Sequence, residues 1–340
     1  MRAGRPDGFV PHTAFWDRGA GWRRTPFYAT ARPWGATATE SIGPPVLAVA
    51  WELVAQAGEI DGDPAFLGAD LASLERHYDW LARERDPDGD GLLTTVLPDE
   101  SGLDDSPKYD AVFGSLAHWR PGYFRLVERC RRLDWDAARI VERHAEHVED
   151  VLVNVLYALS LRALSRMRSE GEDGPWRIAA ERTERALLER CLDDSSGLFR
   201  DLAGPLERPV RISTWSSLAP LALESLPEEV RRRLVEEHLL DPRRYRAAHG
   251  IPSVSMQEPA FRPGFDGFRC WRGPAWMNVA WLLVPPLRRL GYTREGDAIV
   301  ESLSRAVRRS GFREYYNPRT GAGLGARGFG FSTLLVDLVD

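Results

Sequence analysis

Three segments carry residue types able to act on a sugar. The first, Glu100-Ser101-Gly102-Leu103-Asp104-Asp105-Ser106-Pro107, holds adjacent carboxylates. The second, Trp271-Arg272-Gly273-Pro274-Ala275-Trp276, sets two indoles beside a guanidinium. The third, Arg313-Glu314-Tyr315-Tyr316-Asn317-Pro318-Arg319-Thr320-Gly321, places one glutamate at the head of a glycine-rich stretch. Two carboxylates and aromatic platforms are what hydrolysis of a glycosidic bond needs. Asp104 and Glu314 lie far apart in the chain, so only a fold that gathers distant loops can use them together.

Each motif also has a plainer reading. Adjacent carboxylates repel and partial burial favours the neutral acid, so Asp104 or Asp105 can keep a proton near neutrality, as a general acid must. An Asp-Ser-Pro turn or helix cap explains the same residues. Glu314 precedes glycines 321, 323, 325, 328 and 330, which let backbone approach a ligand closely. An ordinary loop with an exposed glutamate fits too. Arg319–Gly325 is no phosphate loop, because the Gly-Lys-Ser/Thr ending is absent. Asp86-Pro87-Asp88-Gly89-Asp90-Gly91 imitates the start of a calcium loop, but its twelfth position is Leu97 rather than Glu, so it reads as a polar turn. His144 and His147, with Glu146 and Glu149 nearby, read as an exposed helix face rather than a zinc site. No metal and no other cofactor is expected, and no Ser or Cys has the context of an activated nucleophile. Of the 12 tryptophans, Trp34, Trp119, Trp271 and Trp276 sit in Gly/Pro-rich surroundings. Such rings stack on sugar faces or wedge helices apart.

The elements that must position these residues are helical. Pro44-Pro45 opens a helix over Val46–Ala57, with the preference of proline for a helix start. Asp63-Pro64 opens another, to about Arg85, whose apolar stripe is Leu67, Leu71, Leu74, Tyr78 and Leu81. Periodicity predicts further helices over Phe124–Leu133, Asp136–His144, Val148–Arg168, Pro175–Cys191, Pro227–Leu240, Pro274–Leu290, Arg294–Arg309 and Phe329–Val339. The only strand candidate is Leu92–Leu97. The class is therefore all-α, with long loops at Asp86–Asp110, Asp193–Ile212, Tyr245–Arg269 and Gly311–Gly328, and loops of such length are usually functional. With no linker or low-complexity tract, 1–340 reads as a single domain.

At 340 residues the chain can bury a large core. A net charge of −5 and no Lys/Arg-rich run give no reason to expect nucleic acid. Cys130, Cys191 and Cys270 have neither metal nor disulfide spacing and read as reduced thiols of a cytoplasmic protein. The first residues contain no apolar signal region, and no apolar stretch is long enough to span a bilayer.

Six segments in order carry a resemblance. They are Asp7-Gly8-Phe9-Val10-Pro11-His12, Pro44-Pro45-Val46-Leu47-Ala48, Glu100–Pro107, Gly250-Ile251-Pro252-Ser253-Val254, Trp271–Trp276 with Asn278, and Phe312–Gly321 with Phe331-Ser332. Together they make the chain resemble glycoside hydrolase family 63, in particular its bacterial mannosylglycerate and glucosylglycerate hydrolases. The resemblance implies an (α/α)6 toroid and an inverting mechanism. It implies Asp104 as general acid and Glu314 as general base, with carboxyls roughly 6.5–9.5 Å apart to admit a water. It implies that Gly102, Trp271 and Trp276 line the sugar pocket, with Tyr315 and Tyr316 beside them. Arg272 is placed to hold a carboxylate, that of Asp104 or of a glycerate aglycone.

This chain departs from the family pattern in places. Family members begin with two or three more helices, so the barrel is expected to be incomplete at the N-terminus, with a homo-oligomer as one way to fill the gap. Gly43, Cys270 and Phe329 stand where polar pocket residues are usual. The expected activity is inverting hydrolysis of a small α-glycoside such as glucosylglycerate or mannosylglycerate. The alternatives are an α-glucosidase or debranching-type hydrolase on oligosaccharides, and a catalytically silent sugar-binding remnant.

Overall fold

The computed structural model describes residues 4–14, 38–61, 64–114, 120–267 and 269–339. Trp34 and Trp119 lie outside them. In chain order the helices are α1 (Leu47–Asp61), α2 (Pro64–Arg85), α3 (Asp110–Phe113), α4 (Arg120–Arg132), α5 (Ala137–Arg143), α6 (Val151–Met167), α7 (Pro175–Ala186), α8 (Glu228–Arg233), α9 (Met277–Arg289), α10 (Thr293–Ser310) and α11 (Val336–Val339). The strands are β1 (Thr94–Thr95), β2 (Val148–Glu149), β3 (Leu192–Asp193), β4 (Leu198–Phe199), β5 (Leu202–Ala203), β6 (Arg208–Pro209), β7 (Arg313–Tyr316) and β8 (Gly323–Arg327). The chain is thus mainly helical but not purely so, which corrects the all-α expectation. Two compact units form. One comprises Met1–Asp104, Asp110–Arg190 and Asp201–Pro209, the other Asp105–Tyr109, Cys191–Arg200 and Val210–Asp340.

The first unit packs α1, α2, α6 and α7 around Leu74, Tyr78, Leu81, Val153, Tyr157, Leu161 and Leu164. Of the predicted α2 stripe, Leu74, Tyr78 and Leu81 are fully buried. The Tyr78 hydroxyl donates to the Pro45 carbonyl (3.0 Å) and accepts from the Ala48 amide (3.1 Å), which pins the start of α1. Helix α6 begins three residues later than periodicity suggests. The Asp150 carboxylate accepts from the Val153 amide (3.2 Å) and caps the helix there. That frees Val148 and Glu149 to pair with Thr95 and Thr94 on one side and with Ala203 and Leu202 on the other. The result is an antiparallel sheet in the order β1-β2-β5-β6, and its edge strand β1 falls inside the one predicted strand.

The second unit packs α9, α10 and α11 around Met277, Ala280, Val284, Leu303, Tyr316 and Leu338. Gly311–Gly328, expected to be a loop, instead forms the antiparallel hairpin of β7 and β8. Isolated bridges extend this layer outward from β7: Ala275 pairs with Tyr316, Pro252 with Ala275, and Thr214 with Val254. Pro274 and Ala275 are drawn into this layer, so α9 starts at Met277 rather than at Pro274.

Candidate active site

In the first unit the loop that leads to Asp104 is organised by Glu100, which is fully buried. Its Oε1 and Oε2 accept a bidentate pair from Arg85 Nη2 (2.7 Å) and Nη1 (2.9 Å). Oε2 also accepts from the Val96 amide (2.8 Å). In the sequence Glu100 reads only as part of the acid run. Its partners make it a structural anchor, because charge-assisted bonds from Arg85 and a bond from the Val96 amide tie helix α2 and the loop backbone to one side chain. Gly102 follows at φ 73, and its amide donates to the Asp99 carbonyl (3.0 Å). A Cβ at Gly102 would sit 3.2 Å from Pro44 Cγ, so two of the six family-like segments meet here. Leu103 is then buried while Asp104 is exposed.

Asp99 does not stand out in the sequence. Burial, then the charges of Glu100 and Asp104, push its carboxyl up to about 7. Tyr123 donates its hydroxyl to Asp99 Oδ2 (3.0 Å), and His12 Nδ1 lies 3.9 Å from the same oxygen. Burial pulls the His12 imidazole below its usual value. The acid run Pro98-Asp99-Glu100 is visible in the sequence, but only the fold shows that Arg85 pairs with Glu100 and that Asp99 is the carboxyl pushed up. Gly43 lies in this unit, where a Cβ would touch His12 Cδ2 at 3.4 Å.

The second unit draws its motifs together by backbone bonds. Asp105, buried and next in the chain after Asp104, accepts the Trp271 amide at Oδ1 (2.9 Å). Cys270 Sγ lies 3.8 Å from the same oxygen. Ala275 and Tyr316 exchange amide bonds of 2.8 and 2.9 Å, so the Trp-Arg-Gly-Pro loop runs beside the strand that carries Glu314. Ser253 Oγ accepts the Gly273 amide (2.9 Å) and ties in the Gly250–Val254 segment. A Cβ on Gly273, at φ 149, would sit 2.8 Å from the Arg262 backbone, which is the reason for glycine at that position.

The aromatic residues are buried and stack on one another. Trp271 and Trp276 lie with centroids 4.1 Å apart and planes at 8°. Trp276 also packs on Tyr315 (4.8 Å), and its Nε1 donates to the Cys270 carbonyl (3.0 Å). Burial first, then the nearby Cys270 and Glu314, raise the Tyr315 phenol. Tyr316 is fully buried, and its hydroxyl donates to the Gly311 carbonyl (2.9 Å) and accepts from the Arg313 amide (3.1 Å), so it braces the hairpin. Arg272 is buried in this unit, and Phe329 meets Phe331 edge-on at 5.1 Å.

Glu314 is half-buried on β7, and its Oε2 accepts the Ala326 amide from β8 (2.8 Å). A Cβ at Gly325 (φ 65) would overlap that oxygen and approach Tyr315 Cε1 to 2.7 Å. The hairpin therefore sets the carboxylate's direction through one bond and one missing side chain. Asp104 belongs to the first unit, Glu314 to the second, and Asp105 continues the chain from Asp104 into the second.

Known proteins bear directly on this arrangement. The family model described as "Mannosylglycerate hydrolase MGH1-like glycoside hydrolase domain" matches residues 1–332. The mannosylglycerate hydrolase of Rubrobacter radiotolerans is 32% identical over 329 residues, 88% of this chain and 74% of that protein. The glucosylglycerate hydrolase of Mycolicibacterium hassiacum is 26% identical, over 94% of this chain and 78% of its own. The crystal structure of the GH63 mannosylglycerate hydrolase from Thermus thermophilus in complex with glucose superposes with a TM-score of 0.83, at 28% identity, covering 99% of this chain and 84% of that one. With nearly its whole length matched, this chain belongs to the MGH1-like glycoside hydrolases.

Proposed function

We propose that the chain hydrolyses a small α-glycoside of glycerate, glucosylglycerate or mannosylglycerate, with inversion at the anomeric carbon. The carrying observation is the bonded series Asp105–Trp271 and Ala275–Tyr316, which ties the segment after Asp104 to the strand of Glu314. The names of the relatives supply the substrate class. In this reading both units form one catalytic domain of the (α/α)6 toroid type, and three cysteines outside any disulfide suit a reducing cytoplasm.

Asp104, exposed at the end of an anchored loop, gives its proton to the glycosidic oxygen as the bond to the anomeric carbon breaks. Glu314 takes a proton from a water that attacks the opposite face of that carbon. The Ala326 amide fixes the lone pairs of Glu314 that point to that water. Trp271, Trp276 and Tyr315, packed in a row, form the aromatic wall beside the sugar. Arg272 balances the glycerate carboxylate through its planar fork.

Proton NMR of the anomeric region tests this with glucosylglycerate, mannosylglycerate and a short α-glucan. Early release of the β-sugar from one of the glycerate compounds is expected. Early release of the α-anomer would rule out inversion, and consumption of the glucan alone would transfer the activity to oligosaccharides.

A further inference from the structure

The turn after α2 lacks the closing glutamate of a calcium loop, since Leu97 stands at its twelfth position. The fold supplies carboxylates from elsewhere. Asp88 and Asp90 of the turn meet Glu149 of β2 and Glu207 of the turn between β5 and β6, with one oxygen from each within 4.8 Å of the others. All four belong to the first unit.

Glu149 is only 5% exposed, and its buried Oε2 has no hydrogen-bond partner. A buried carboxylate oxygen without a donor costs free energy unless something cationic meets it. The neighbouring charges do not provide this. Arg190 Nε pairs with Asp90 Oδ2 (2.9 Å) and its Nη2 pairs with Glu207, so this guanidinium is already engaged by two carboxylates. Asp86 is spent on the turn itself: its oxygens accept the Asp90 and Gly91 amides (3.0 and 3.2 Å) and Arg182 (3.0 Å). Asp86, Asp88, Asp90, Glu149 and Glu207 against Arg182 and Arg190 leave an excess of negative charge around Glu149.

We propose that Asp88, Asp90, Glu149 and Glu207 bind a divalent cation of the calcium class. The donors are all hard carboxylate oxygens, with no imidazole or thiolate to favour zinc. Oxygens on opposite sides of a calcium ion lie about 4.6–5.2 Å apart, whereas those on magnesium lie only about 4.0–4.2 Å apart. Four carboxylates with oxygens no more than 4.8 Å apart exceed the one or two that magnesium usually takes, and suit calcium. Asp88 is exposed, which gives the ion a way in and leaves room for water ligands. Glu149 pairs with Thr94 of β1, and the chain runs from β1 directly into the Glu100 loop. The cation thus steadies the sheet from which the Asp104 loop departs.

The test uses the full chain after chelator treatment, with calcium or magnesium chloride added alone during calorimetry and thermal melting. One equivalent of calcium should bind, raise the Tm, and bind more tightly than magnesium. Glu149→Gln, and separately the exposed Asp88→Asn, should weaken calcium binding by at least about tenfold. In chelator Glu149→Gln should melt at or above the unsubstituted chain, because an unpartnered buried carboxyl oxygen crowded by three other carboxylates is gone. Absence of a calcium-dependent rise in Tm, preference for magnesium, or unchanged calcium affinity in both variants would each overturn the proposal.

Discussion

Arg85 and Glu100 form a fully buried, two-bond ion pair at the root of the Asp104 loop. Neither partner can be removed alone without stranding the other's charge. Glu100→Gln should therefore destabilise the chain by about 3–5 kcal/mol. Denaturant unfolding followed by tryptophan fluorescence measures this. A change below about 1 kcal/mol, the scale of an exposed pair, would deny Glu100 the anchoring role.

The acid and base assignments predict different responses to the leaving group. Asp104→Asn should lower kcat on the natural glycoside by about 10²–10⁴, the contribution of general acid catalysis. On a glycosyl fluoride, whose leaving group needs no proton, the same variant should keep most of its rate. Glu314→Gln should lose rate on both, because the water must still be deprotonated. Equal losses for Asp104→Asn on both substrates would remove it as the acid.

Gly325 leaves no room for a side chain beside the proposed base. Alanine there must tolerate φ 65 and displace the Glu314 carboxylate or the Tyr315 ring. Gly325→Ala should lower kcat by at least about tenfold with a smaller change in KM, since the interaction it disturbs is made to the attacking water. It should also leave the Tm within a few degrees, because β8 is half-exposed. A KM effect alone would place Gly325 in substrate binding instead.

Much of this architecture is legible in the sequence, and the gaps have physical causes. The helices α1, α2 and α4 to α10 follow from apolar periodicity, whereas the short α3 does not, and Asp136 and Asp150 cap α5 and α6 as their residue type suggests. The β7–β8 hairpin is not legible, because Arg313–Tyr316 lacks alternation: Tyr315 and Tyr316 are both buried. Besides β8, the strand pairs at Tyr316 with Ala275 from a distant loop, and a long-range partner leaves no local pattern. The acid cluster is hidden for the same reason, since Glu149 and Glu207 reach Asp88 and Asp90 only through sheet pairing. Glu314 stands out as a carboxylate beside glycines, yet the reason for Gly325 emerges only from the close approach of β8.

His77 gives the fold an acid limit. It is 3% exposed, and its Nδ1 donates to the Gly8 carbonyl at 3.1 Å. Burial pulls its pKa from 6.5 down to about 4. Between those values the unfolded chain accepts a proton that the folded chain refuses, so stability falls as pH falls. The contribution is complete above pH 6.5 and declines toward pH 4, by at most about 3 kcal/mol. Asp99, held up to about 7, works in the opposite direction: its cost to the folded state builds as pH rises from 3.8 to 7. Thermal melts of His77→Gln and Asp99→Asn from pH 4 to 8 separate the two. The histidine variant should lose less stability than the unsubstituted chain between pH 6.5 and 4.5. The Asp99 variant should gain most above pH 7. A His77→Gln curve parallel to the unsubstituted one would mean that His77 titrates alike in both states, and its burial would then carry no pH dependence.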